Sequence, residues 1–221
     1  MSFFKRAFEF VKRIFSRKPS IPAPTIPSPP PVSEAGPITR EFITGLYLNL
    51  CHNIRGGVTP YKKIRETSGK NRSPELDKLI LNQGGSLGEP YCVYGQQQAI
   101  DDICSILKID RKSVAIPEGG STQRVFKNSP DRFKKSKPAP MRIVVWQYAS
   151  DPTHGHFGMC LSYADGNGLF QTFEFNTNPD PGAVIRDGQG AHFVNRNVAG
   201  TRTMRILGYI DLFDAITETS Q

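Results

Sequence analysis

In 221 residues the sequence offers no uninterrupted apolar run near the ~20 residues that a bilayer-spanning helix requires, so no spanning segment is expected. Tryptophan occurs once and histidine four times, which leaves few places for imidazole chemistry. Cysteine is sparse as well. The four cysteines, Cys51, Cys92, Cys104 and Cys160, are too scattered for a disulfide framework, and free thiols in a reducing compartment are expected. Cys92 and Cys104 fall on one predicted helix, where ~1.5 Å per residue sets them roughly 18 Å apart, too far for a bridge. Compact CxxC and HExxH elements are missing, and so is an Asp/Asn/Gly loop of the calcium-binding kind. His154, His156 and Cys160 form a loose zinc alternative without such an element beside it, so neither a metal nor a cofactor is expected. The N-terminus has no continuous apolar stretch, because Phe alternates there with Lys and Arg; this argues against a secretory signal peptide.

What is present is unevenly placed. The net charge is +8, but residues 1–18 hold Lys5, Arg6, Lys12, Arg13, Arg17 and Lys18 against Glu9 alone. The rest of the chain is only slightly basic, which gives no support to a nucleic-acid partner. At ~100° per residue Phe3, Phe4, Ala7, Phe8, Phe10, Val11, Ile14 and Phe15 share one arc of a helix, with the charges opposite. Aromatic anchors beside a cationic face suit an anionic membrane surface, with Phe4, Lys5, Phe8, Lys12 and Phe15 as the candidate contacts. Docking onto the main domain or a partner protein, or a disordered tail, are the other readings. Residues 19–37 carry Pro19, Pro22, Pro24, Pro27, Pro29, Pro30, Pro31 and Pro37 among Ser, Ala and Thr, and read as a semi-rigid linker. A folded domain over 38–221 follows.

Within it, 39–50 reads as a helix. Ser73 is a natural N-cap with Pro74 at the first helical position, and Gly84-Gly85 ends that second helix. A third runs from Cys92 to about Leu107, with Val93, Ala99, Ile100, Ile103, Ile106 and Leu107 at helical spacing. From 110 to 140 loop residues dominate. Strand-like runs then occupy 141–148, 156–163, 169–177, 191–198 and 204–212, with Asp165-Gly166-Asn167-Gly168 as a hairpin turn. Helices first and antiparallel strands second predict an α+β fold, the helices packed on the sheet.

Cys92 follows the turn residues Gly88-Glu89-Pro90-Tyr91 and opens a helix. A thiol there feels the positive end of the backbone dipole, which favours the nucleophilic thiolate. Such a nucleophile needs a base, and the base needs an orienting partner. His52 and His192 lie within a helix and a strand; His154 and His156 lie where a strand begins beside small glycines. His156 opens the apolar run and is the favoured base. In Phe173-Glu174-Phe175-Asn176-Thr177, strand alternation puts Glu174 and Asn176 on one side, and either can accept from an imidazole N–H. A polar outer face on an ordinary strand is the plainer reading of that pair.

These segments, taken in order, resemble the CHAP domain, the cysteine- and histidine-dependent amidohydrolase/peptidase family of phage endolysins and bacterial wall enzymes. The resemblance spans about residues 55–212. It rests on the stretch from Ile64 through Arg65-Glu66-Thr67-Ser68-Gly69-Lys70-Asn71-Arg72 to Asp77 and on Gly84-Gly85-Ser86-Leu87-Gly88-Glu89-Pro90-Tyr91-Cys92. Gly155-His156-Phe157-Gly158, Phe173-Glu174-Phe175-Asn176-Thr177-Asn178-Pro179, Gly188-Gln189-Gly190-Ala191 and Gly208-Tyr209-Ile210 complete it. Two departures stand out: Phe175 occupies a place where glycine is usual, and Tyr91 one where tryptophan often precedes the cysteine.

The resemblance implies a papain-like α+β fold with Cys92 as nucleophile, His156 as base, Glu174 orienting the imidazole and Asn176 in support. It implies hydrolysis of an amide bond of peptidoglycan, as a phage or bacterial lysin made in the bacterial cytoplasm and acting at the cell wall or periplasm, or carried in a virion. The backbone N–H of Cys92 is the expected oxyanion donor, with Gln83 and Tyr91 as further oxyanion or substrate contacts. Peptidoglycan is then the partner, an anionic membrane or lipopolysaccharide a second one through residues 1–18, and a monomer is expected. The alternative functions are a cysteine protease or acyltransferase toxin or effector acting on proteins, and a non-catalytic wall-binding or virion component.

Overall fold

The computed structural model describes residues 38–52, 59–178 and 188–219. The segment 1–18, with Phe4, Lys5, Phe8, Lys12 and Phe15, and the linker 19–37 lie outside the described residues. Among the described residues there are five α-helices: α1 (Arg40–His52), α2 (Pro74–Asn82), α3 (Cys92–Leu107), α4 (Thr122–Asn128) and α5 (Leu212–Glu218). Six strands follow or interleave with them: β1 (Lys134–Lys135), β2 (Arg142–Tyr148), β3 (Gly155–Cys160), β4 (Leu169–Thr177), β5 (Gly190–Asn197) and β6 (Met204–Asp211). The strands make one antiparallel sheet in the order β1-β6-β2-β3-β4-β5. The fold is α+β. Among the described residues no helix is long and apolar enough to cross a membrane.

Local chemistry explains the element ends. Ser73 Oγ accepts from the Leu76 N–H at 3.1 Å, and Pro74 begins α2, whose free first-turn N–H groups make a missing donor harmless. Lys108, in the left-handed region at φ 58°, stops α3, and the Ile109 N–H closes back on the Cys104 carbonyl at 2.9 Å. Two helices were not legible in the sequence. In α4 only Thr122 and Val125 are buried, so seven residues carry too short an apolar pattern to register. α5 begins at Leu212, where the sequence predicts a strand end, because Asp211 caps it by accepting from the Asp214 N–H at 3.2 Å.

The main core lies between the helices and one face of the sheet, with Phe157, Met159, Phe173 and Phe175 meeting Val93, Ala99, Ile100 and Ile103 of α3. A smaller cluster around Val144, Trp146, Cys160, Phe170, Met204 and Tyr209 holds together separately. Gly95 lets α3 approach β4: a Cβ there would fall 2.2 Å from Phe175 Cγ. Phe175 thus fills space that a glycine on the facing helix leaves open. At the other end of the sheet the fully buried Asp211 accepts from Arg40 at 3.0 and 3.1 Å and from Arg142 Nε at 2.7 Å, tying α1 to β2 and β6. Both guanidiniums hold the Asp211 carboxyl below its ordinary range against the opposing effect of burial.

Candidate active site

Cys92 is the first residue of α3. Its predecessor Tyr91 has φ −107° and ψ 13° and offers no side-chain cap. The helical ladder starts only with the Gly95 N–H on the Tyr91 carbonyl, so the N–H groups of Cys92, Val93 and Tyr94 precede the first intrahelical bond. The Cys92 thiol lies close enough to the imidazole of His156, the second residue of β3, for the two to interact. His156 Nε2 lies 2.9 Å from Glu174 Oε2 on β4, so this ring nitrogen is engaged by the carboxylate. Cys92 and His156 are each 5 % exposed, so both keep only a narrow edge open to solvent.

Behind the imidazole the arrangement is fully enclosed. Glu174 has no exposed surface. Its Oε1 accepts from Thr172 Oγ1 at 2.5 Å and from Arg196 Nε at 2.7 Å, and its Oε2 accepts from the terminal guanidinium nitrogen of Arg196 and faces His156. The guanidinium also stands over the Trp146 ring at 5.1 Å, and that ring lies 5.6 Å from the imidazole, tilted by 31°. Gly158 makes the crowding possible, since a Cβ there would come 2.7 Å from Glu174 Cγ.

The electrostatics follow from this enclosure. Burial alone would push the Glu174 carboxyl up; the charge and fork of Arg196, then the bond to His156, outweigh it and hold the group well below the usual carboxylate range. Burial likewise opposes a charged His156, but the hydrogen bonds to Cys92 and Glu174 raise it from 6.5 to about 9. Burial pushes the Cys51, Cys104 and Cys160 thiols up, which keeps them protonated and inert.

Of the residues expected at the site, Cys92, His156 and Glu174 come together, and the remaining ones do not join them. Asn176 is displaced by a register shift between Glu174 and Thr177. It sits in the left-handed region at φ 55°, so the alternation that would align it with Glu174 is broken. Its Oδ1 is buried without a hydrogen-bond partner, and it is not bonded to His156. Gln83 is no oxyanion donor: it caps α2, and its amide is spent on Gln98 at 3.3 Å and Asp101 at 2.7 Å, further along α3. Tyr91 is wholly buried with its hydroxyl donating to the Gly188 carbonyl at 3.2 Å, so it has no surface open to a substrate.

The remaining histidines are occupied elsewhere. His154 Nδ1 meets Asp151 at 2.6 Å on the surface, His52 contacts Lys62 and stacks on Phe193, and His192 is half-buried near Arg65. The zinc alternative is therefore not assembled: among the described residues no group of three His, Cys, Asp or Glu side chains gathers. Arg196, Thr172 and Trp146 were not singled out from sequence. The one available signal was indirect: a carboxylate meant to sit beside a buried imidazole needs a cation, and Arg196 is an arginine in an otherwise plausible strand. A cleft of about 730 Å³ lies at the far end of the sheet, on β1 and β6, away from Cys92. Its Lys134, Lys135 and Arg142 are already paired with Asp131, Asp214 and Asp211.

No model of a known protein family matches the chain, and no curated protein matches it.

Proposed function

We propose that the chain is a cysteine-dependent amide hydrolase of the bacterial cell wall, an amidase or endopeptidase acting on peptidoglycan through a papain-like CHAP fold. The observation that carries the chemistry is the line Cys92, His156, Glu174, in which a helix-start sulfur meets an imidazole held from behind by a buried carboxylate. Nucleophile, base and orienting group are the three parts that acyl transfer through a thiol requires. The choice of peptidoglycan rests on the resemblance of the segments around these residues to CHAP enzymes of phages and bacteria.

The Cys92 thiolate attacks the carbonyl carbon of the scissile amide, and the C=O electron pair moves onto oxygen. The N–H of Cys92, at the positive end of α3, would stabilise that oxyanion. The His156 imidazolium gives its proton to the leaving amine as the C–N bond breaks. The neutral imidazole then takes a proton from water, whose oxygen attacks the thioester; the acid departs and the thiolate–imidazolium pair returns. Glu174 keeps the ring in place through both proton transfers. Residues 1–18 would hold the enzyme at an anionic membrane or lipopolysaccharide surface near its wall substrate.

Purified peptidoglycan should lose turbidity with the wild type and not with Cys92→Ala, and mass spectrometry of the released muropeptides should identify one class of cleaved amide. Equal clearing by Cys92→Ala overturns the nucleophile. Cleavage of casein in place of wall fragments overturns the wall substrate while leaving the cysteine chemistry intact.

A further inference from the structure

We propose that Arg196 is a positioning residue whose fixed positive charge, clamped on both oxygens of Glu174, balances the buried carboxylate so that Cys92 and His156 can be held as a thiolate–imidazolium pair. The inference rests on the hydrolase reading and deepens it. Orienting an imidazole needs only a neutral acceptor. Here a full carboxylate with no exposed surface does it, and a buried anion of this kind is costly unless paired. The pairing is a two-pronged fork from β5, itself 7 % exposed and backed by the Trp146 ring.

The charge count shows what the fork does. In the reactive form Cys92 and Glu174 are negative while His156 and Arg196 are positive, so the enclosed line is neutral. Without Arg196 the same form carries one net negative charge in a low-dielectric pocket, and the state with a protonated sulfur becomes the neutral one. No other group facing the line can take over. Tyr47 on α1 and Cys160 on β3 lie near Glu174, and burial keeps both protonated and uncharged. Thr172 is neutral, Tyr148 lies near the guanidinium, and Tyr94 on α3, raised to about 12 by burial and its bond to Glu89, is neutral beside Cys92. Arg196 is thus the one permanent cation in direct contact with the line among the described residues.

The test is the rate of Cys92 alkylation by iodoacetamide as a function of pH in the full chain, with Cys92→Ser as the blank for the other thiols. Arg196→Met should move the rise of alkylation at least one pH unit alkaline, making it about tenfold slower on the acid limb. Arg196→Lys, which keeps the charge, should recover most of the shift. The pair Arg196→Met with Glu174→Gln, which removes one charge of each sign, should also return the limb toward the wild-type position, and it stays informative where the single variant does not fold. A purely structural role predicts no such recovery. The inference is overturned by a folded Arg196→Met with the wild-type profile, or by a double variant shifted as far as a one-unit displacement. A wild-type Cys92 no faster than a free peptide thiol would sink the hydrolase reading and this inference together, whereas an activated wild-type thiol indifferent to Arg196 sinks the inference alone.

Discussion

Glu174 serves His156 in two ways, as a hydrogen-bond acceptor and as a charge, and the two can be separated. Glu174→Gln leaves an amide oxygen able to accept from Nε2–H but removes the anion. His156 then keeps a hydrogen bond there but loses the negative charge that helps lift it to about 9. Because the proposed hydrolysis needs the imidazolium to protonate the leaving amine, the alkaline fall of activity should move from about 9 toward the ordinary imidazole value of 6.5. The same change leaves Arg196 buried without its anion, which should destabilise the fold by ~3–5 kcal/mol. A pH–rate profile of wall clearing, read beside a urea melt, checks both; an alkaline limb that stays in place would show that the carboxylate charge does not act on His156.

Among the elements, α3 and β4 set the geometry, and their contact depends on one missing methyl group. Gly95 faces the Phe175 ring so closely that no Cβ fits, while Phe175 also meets Phe173 and Tyr61 edge-on at 5.5 and 5.2 Å. The ring is boxed in and cannot give way. Gly95→Ala should therefore cost ~1–3 kcal/mol through overpacking, and it should slow hydrolysis by pushing the Cys92 end of α3 away from Glu174's strand. Phe175→Leu in the same chain should recover part of the loss. Denaturant midpoints of the two single variants and the double variant form the cycle, and strictly additive losses would mean that the helix–strand contact is not the source.

Across the whole molecule, stability should peak near neutral pH, for reasons that sit in different parts of the sheet. His156 is raised above its ordinary 6.5, so the stability it contributes is complete below 6.5 and is lost as pH climbs through about 9. His192 on β5 is lowered to about 4 by burial and by Arg65, so its contribution is complete above 6.5 and fades as pH falls toward about 4. Glu174 and Asp211 are both held low, and their contributions disappear further into acid. Thermal midpoints across the pH range should form a dome, and His192→Gln should flatten its acid shoulder without touching the alkaline one. A shoulder that is unchanged in that variant would assign the acid loss to the carboxylates alone.

The sequence by itself determined what short-range physics controls. Ser73 and Pro74 announce α2, turn residues before Cys92 place it at a helix start, and alternation marks 169–177 as a strand, because caps, turns and apolar periods act over a few residues. Cys92, His156 and Glu174 were legible as candidates for the same reason, each standing at a recognisable element end or on a patterned strand. Only the tertiary structure decided that Arg196 reaches Glu174 from the neighbouring strand, that a register shift turns Asn176 out of line, and that Gln83 spends its amide on Asp101. Those outcomes depend on strand register and on which distant side chain arrives first at a buried charge, and nothing in the local spacing of residues encodes either.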